Sequence, residues 1–218
     1  MRKFVFAVAL LVFSVSSAQA DILTLGCSFV SVPVSIAGGA AHLEGSGSIT
    51  PSSLNGLSLE WIYCVDLYNS INVPGTFDAT VVSSVDGKVS GTPLRNRGYV
   101  ASLLDQFAAT AITPDQQGAL QAAIWHEIYL HVPNQGVDYA GTDTADYDTY
   151  VAAAWNNMQA VPNYLWLTPS TGDSGVVYQG LVTVAPSAAP STVPEPGSLI
   201  LLGSGLFGLA AAVRRRRA

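Results

Sequence analysis

Two residues distant in the chain are candidates for covalent chemistry. Cys64 offers a thiol, whose thiolate is both a nucleophile and a good leaving group; the chain holds one other cysteine, Cys27. Gln121 offers an acyl carbon in the form of a primary amide. It falls in a segment of helical spacing running from Thr113 to about Leu130. At about 100° per residue, Ile124, Trp125 and Ile128 lie within about 60° of it, so the amide sits on the apolar face. A primary amide buried without partners costs a few kcal/mol. Gln121 therefore requires either a hydrogen-bond network or a covalent reason for its place.

Other constellations are weaker. His126-Glu127-Ile128-Tyr129-Leu130-His131 has its histidines five apart instead of four, so they leave the common face that a zinc helix needs; His126 reads as a helix-surface residue. Asp138, Asp143, Asp146 and Asp148 cluster in a Gly/Tyr-rich loop but lack the ordered ligand loop with its terminal Glu. They read as a solvated loop and helix start, where Asp is favoured. No metal or cofactor is expected. No Ser-His-Asp set, phosphate loop or paired-carboxylate motif stands out, and no catalytic turnover is expected.

The candidate residues need elements to hold them. From Asp21 to about Val85 the chain is rich in Val, Ile, Ser, Thr and Gly, with alternating runs such as Phe29 to Ile36, which is strand composition. Breaks are expected at Ala37-Gly38-Gly39, Gly45-Ser46-Gly47, Pro51 to Gly56 and Asn72 to Gly75. Leu57 to Asp66 reads as one strand, with Leu57, Leu59, Trp61, Tyr63 and Val65 on one side. Ser58, Glu60, Ile62, Cys64 and Asp66 take the other, which puts Cys64 on the more polar face. Helical spacing then appears at Tyr99–Phe107, after Thr113, and over about Asp146 to Met158, with Val151, Trp155 and Met158 at core spacing. Thr113 as N-cap, Pro114 at N1 and Gln116 form a capping-box signature. Strand composition returns at Tyr164–Leu167 and Gly175–Val184. Strands, then grouped helices, then strands imply an α+β fold: a β-rich sandwich or barrel-like part with a helical subdomain inserted between strands.

Both ends are addresses rather than fold. Arg2 and Lys3, an apolar run from Phe4 to about Val15, and Ser17-Ala18-Gln19-Ala20 form a secretory signal peptide over residues 1–20. At the other end, Val193-Pro194-Glu195-Pro196-Gly197 precedes an uncharged apolar run of 16 residues, 198–213, and then Arg214 to Arg217. The run is a little under the roughly 20 residues of a spanning helix, and Gly203, Gly205 and Gly208 weaken it. An arginine cluster keeps its own side cytoplasmic; together these describe a temporary hold in the inner membrane. The three-part order resembles the PEP-CTERM sorting signal, which in that family is recognised by the membrane protease-transpeptidase exosortase in Gram-negative bacteria that make exopolysaccharide. The resemblance implies that Pro194, Glu195 and Pro196 direct processing, that exosortase is a transient partner, and that the mature protein reaches the cell surface or extracellular matrix.

This leaves residues 21–185 as the folded domain, 186–193 as a Ser/Ala/Pro linker and 194–218 as the sorting signal. Charged residues make up only 11% of the chain, against about a quarter usually, and 49% are apolar, which excludes long disorder. Of the 15 acidic residues only Glu195 lies outside residues 21–193, whose basic residues are Lys88, Arg95 and Arg97, so that this segment has net charge −11. Nucleic-acid binding is excluded, because phosphate contacts need a basic surface.

Two cysteines in an exported domain permit a Cys27–Cys64 disulfide, worth about 2–4 kcal/mol, and with it a passive, non-covalent structural role in an exopolysaccharide matrix. A second resemblance offers the other reading. Trp61-Ile62-Tyr63-Cys64-Val65-Asp66, followed by Gln121-Ala122-Ala123-Ile124-Trp125, resembles the bacterial thioester domain of surface adhesins, which carries an aromatic-Cys motif on a strand and a Gln-x-Ala-Ile-Trp motif on a helix. That resemblance implies an internal thioester between Cys64 and Gln121, supported by Tyr63, Ile124, Trp125 and Ile128. It also implies covalent adhesion to a surface or matrix macromolecule bearing an amine or hydroxyl. The sequence departs from the family in having Leu120 where Thr is common, and the thioester leaves Cys27 unpaired.

Overall fold

The computed structural model describes residues 20–83, 88–89, 92–93, 96–156, 164–171 and 176–186. The signal peptide before Ala20, the linker beyond Pro186, the sorting signal and Met158 lie outside them. The strands before the helices are β1 (Asp21–Leu25), β2 (Ser28–Ile36), β3 (His42–Thr50), β4 (Ser52–Leu54), β5 (Leu57–Leu59), β6 (Ile62–Cys64), β7 (Gly75–Ser83), β8 (Lys88–Val89) and β9 (Thr92–Pro93). Then come α1 (Arg97–Phe107), α2 (Pro114–Tyr129), β10 (Val137–Tyr139) and α3 (Thr144–Asn156), followed by β11 (Tyr164–Thr171), β12 (Val176–Val177) and β13 (Leu181–Val184).

The fold is α+β. The main sheet runs β5-β4-β1-β7-β11-β13-β6, with β12 beside β11, and curls into a nearly closed, barrel-like form. A second sheet has the order β10-β2-β3, and β8 and β9 form a small ribbon. The helices fall between β9 and β11 in sequence. They are not walled off, however: β10 pairs with β2, and α2 packs against β2, β3 and β10 as well as α1 and α3. Helix α2 is buried almost all round, from Gly118 through Trp125, as expected of a helix at the centre of a domain.

Its start is held by the expected capping box. Thr113 Oγ1 accepts from the Gln116 amide at 3.2 Å, and Gln116 Oε1 accepts from the Thr113 amide at 3.2 Å. Pro114 takes the first position, where no intrahelical donor is required.

Several expected elements are redrawn. Leu57 to Asp66 is not one strand: it breaks at Glu60-Trp61, and its halves, β5 and β6, stand at opposite ends of the main sheet. The two-face alternation fails with it, since Trp61 through Val65 are all buried and Cys64 has no polar side. Gly175–Val184 likewise divides into β12 and β13. Within Pro51–Gly56 the turn is confined to Asn55-Gly56, whose φ values of +52° and +78° suit a tight hairpin joining β4 to β5. In α3 the core face is Tyr147, Tyr150 and Ala154, whereas Trp155 is 52% exposed. Its indole stacks on Tyr99 at 5.2 Å and donates to Glu127 Oε1 at 3.1 Å, an amphipathic ring at the rim of the core.

Replacing Thr113 by Ala removes one half of the capping box and is expected to lower the unfolding free energy by about 1 kcal/mol. Urea denaturation followed by circular dichroism measures this, and an unchanged midpoint refutes the cap's contribution.

Candidate functional site

Gly45-Ser46-Gly47, expected as a turn, lies inside β3. The β2–β3 register slips there: Ser46 faces Val30, yet Thr50 faces Ser28, so β3 carries extra residues and bulges. Gly47 makes this possible. It adopts φ +79°, and a Cβ on it would overlap Val30 Cγ2. Beyond the bulge the in-out alternation stops, and Ser46, Gly47, Ser48 and Ile49 are all buried. Ser46, 1% exposed, still pairs with Val30 just before the slip and lies in the core, in reach of α2.

On the main sheet, β6 is the last strand and pairs only with β13 along the sheet order. The Val65 amide donates to Gly180 O at 2.8 Å. Successive residues of a strand turn their backbone groups to opposite edges, so those of Cys64 face the open edge, away from β13. The Gln121 side chain meets them there. Its Nε2 donates to Cys64 O at 2.7 Å, and the Cys64 amide donates to Gln121 Oε1 at 3.0 Å. The buried amide thus stands in for a neighbouring strand, which answers the expectation that it needs a network. Ser46 Oγ donates to the same Oε1 at 2.7 Å.

The Gln121 carbonyl oxygen therefore receives two hydrogen bonds, from a backbone N–H and a hydroxyl. Donors at these distances stabilise negative charge developing on a carbonyl oxygen. The thiol is completely buried, and burial pushes it up to about 12; a hydrogen bond with Ser46 acts in the opposite direction, and the Asp66 charge adds to the rise. At neutral pH the thiol holds its proton. Tyr63, Ile124, Trp125 and Ile128 belong to the same buried cluster. Tyr63 Oη and Trp125 Nε1 have no hydrogen-bond partner among the described residues, so these groups supply apolar bulk there.

Both cysteines are free: Cys27 is exposed and Cys64 buried. His126, expected on the helix surface, is instead half-buried. Its Nδ1 lies 2.9 Å from Val137 O and 2.9 Å from Tyr147 Oη, with Asp138 at 3.7 Å, so it ties α2 to β10 and α3. His131 lies past the end of α2 at φ +63°. Asp143 accepts from the Asp146 amide at 3.3 Å, capping α3 as an acidic helix start should. No metal-binding group of His, Cys, Asp or Glu side chains occurs among the described residues.

Sequence reasoning missed Ser46, hidden in a Gly-Ser-Gly that resembles a turn, and Glu127, which is fully buried. Glu127 Oε2 has no hydrogen-bond partner among the described residues, and desolvation holds its carboxyl above the ordinary range.

Residues 192–217 match the PEP-CTERM protein-sorting motif. The motif supports export with a membrane-associated precursor and implies processing by exosortase. No curated protein and no solved structure matches the chain. Among the described residues no helix is long and apolar enough to cross a membrane; the apolar sorting segment lies outside them. The chain is thus an exported α+β protein carrying a PEP-CTERM signal, with a buried Cys-Gln-Ser cluster in its folded part.

Gln121→Leu keeps the bulk but leaves the Cys64 N–H and C=O and the Ser46 hydroxyl without their amide partner. A loss of roughly 2–5 kcal/mol is expected, at about 1–3 kcal/mol per stranded buried group and less than additive. Equilibrium unfolding measures it, and a change below about 1 kcal/mol means the amide is not what satisfies the β6 edge.

Proposed function

We propose that the exported domain closes an internal thioester between Cys64 and Gln121 and uses it once, for covalent adhesion to an amine or hydroxyl on a surface or matrix macromolecule. The observation that carries this reading is the seat of the Gln121 amide: both its ends bond the Cys64 peptide, and its carbonyl oxygen lies between two donors.

In the forming step Cys64 Sγ attacks Gln121 Cδ. The C–S bond forms, the C–N bond breaks, and the thiol proton leaves with the amide nitrogen as ammonia. The buried thiol brings the proton that the leaving nitrogen needs, and its sulfur becomes the nucleophile as that proton passes to the amide nitrogen. Charge passes through Oε1, where Ser46 Oγ and the Cys64 N–H stabilise it. In the transfer step a nucleophile attacks the same carbon, the C–S bond breaks and the thiol returns with the nucleophile's proton. Burial among Ile124, Trp125 and Ile128 slows loss to water. No second cycle follows, since nothing restores the amide.

Intact mass is the test. The purified domain is expected to weigh one ammonia less than its sequence and to regain the mass as a methylamine adduct. Cys64→Ala and Gln121→Ala should show neither change. Ser46→Ala should close the thioester about a hundredfold more slowly, the usual loss for one donor of this kind. A deficit of two hydrogens instead means a Cys27–Cys64 disulfide, for which the buried thiol would first have to be brought out, and covalent adhesion is withdrawn.

For the sorting signal, joint replacement of Pro194, Glu195 and Pro196 by Ala is expected to leave full-length chain in the membrane fraction. Fractionation with intact mass reads this; normal shortening and release of the variant would remove the three residues from the processing role.

A further inference from the structure

A cavity of about 400 Å³ has Ser46 in its wall. Its walls include Glu44 and Ser46 of β3, Phe29 of β2, and the segment Leu67–Ile71. The wall is fixed in place. Asp66 Oδ1 accepts from the Tyr68 amide at 3.0 Å, the Leu67 amide donates to Tyr129 Oη at 3.0 Å, and Gln179 Nε2 donates to Asp66 O at 2.7 Å. Ser46 belongs to both places, lining the cavity while its hydroxyl holds Gln121 Oε1. The cavity therefore ends one side chain away from the acyl carbon.

We propose that this cavity is the acceptor site of the thioester and that it selects a primary alkylammonium, with Glu44 as the counter-charge. The inference rests on the thioester reading and names its substrate. Glu44 lies two residues before Ser46, about 7 Å along β3, and both residues line the cavity. The Glu44 carboxylate is part-exposed and 3.2 Å from His42 Nε2. Among the described residues no Lys or Arg lines the cavity, and the net charge of −11 over residues 21–193 draws cations toward it. Phe29 and Tyr68 are exposed aromatics beside it, able to cover a methylene stem and to attract an ammonium by their ring faces. A hydroxyl nucleophile can offer Glu44 a hydrogen bond but no charge to pair with. The ammonium gives one proton to water before attack; the neutral nitrogen then bonds Gln121 Cδ, the C–S bond breaks, and one of its two remaining protons passes to Cys64 Sγ while the other stays on the new amide.

Labelling rates followed by intact mass at pH 7 test this, with n-butylamine as the charged probe and hydroxylamine as one that is neutral at that pH. Glu44→Gln should slow butylamine about two- to fivefold, the range of a part-exposed ion pair, and leave hydroxylamine unchanged. Ser70→Trp, an exposed position on the cavity wall, should slow both probes. Equal rates for both probes in Glu44→Gln and wild type, or an equal fall for both, overturn the role of Glu44. Wild-type labelling in Ser70→Trp overturns the cavity as the route. A wild-type chain that lacks the ammonia deficit and takes neither probe fails earlier, at the thioester itself.

Discussion

The pairing of the Gln121 amide with the Cys64 peptide is the constraint on which the site depends. A sheet that ends at β6 leaves outward-facing N–H and C=O groups, and a strand buried against the core cannot leave them to water. Here one amide, with a donor and an acceptor in the same plane, satisfies both. Because it comes from α2, the interaction also fixes where that helix lies over the sheet. The central helix, the edge strand and the β3 bulge are then determined together: a shift of any one would strand buried polar groups belonging to the other two.

The same arrangement balances dryness against reach. Cys64 and Gln121 are wholly excluded from solvent, which under the proposed chemistry would suppress reaction with water, yet a reactive carbon that nothing can approach would serve no purpose. Under the proposed chemistry Ser46 resolves this, because its hydroxyl reaches inward to Oε1 while the residue also lines the cavity wall. The bulge that follows costs ladder hydrogen bonds and needs a glycine in the left-handed region. It stops the in-out alternation, so that Gly47, Ser48 and Ile49 are buried in succession after the serine.

Much of this was legible in the residues. The period-3.6 placement of Gln121 among Ile124, Trp125 and Ile128 put an amide in the core before any coordinates, and the capping box located the helix that carries it. The α+β order followed from the strand, helix and strand composition. Strand breaks were less legible, because Leu57 to Asp66 has an alternating pattern that suits one long strand. What divides it is the curl of the sheet, which sends β5 and β6 to opposite ends, and curl is a property of many strands together. Ser46 was missed for a related reason: a glycine pair flanking a serine has the composition of a turn, and only pairing with β2 makes it a bulge. The exposure of Trp155 depends on Glu127 and Tyr99, which lie far from it in sequence, so helical spacing alone could not decide it.

That long-range assembly bears on when the site exists. Ser46, Cys64 and Gln121 come from β3, β6 and α2, with 75 residues separating the first from the last. No local segment contains the donors, the thiol and the amide together, and an unfolded chain has an ordinary glutamine and an ordinary cysteine. Under the proposed chemistry, reactivity is a property of the folded domain, and it appears only after the last of these elements has packed. The sorting motif lies after all of them, at residues 192–217, so a precursor held by its C-terminal end has every residue of the site on the N-terminal side of the hold. Under that chemistry, folding and thioester closure can be complete before processing, so that a bond that reacts once would form while the precursor is still held at the membrane.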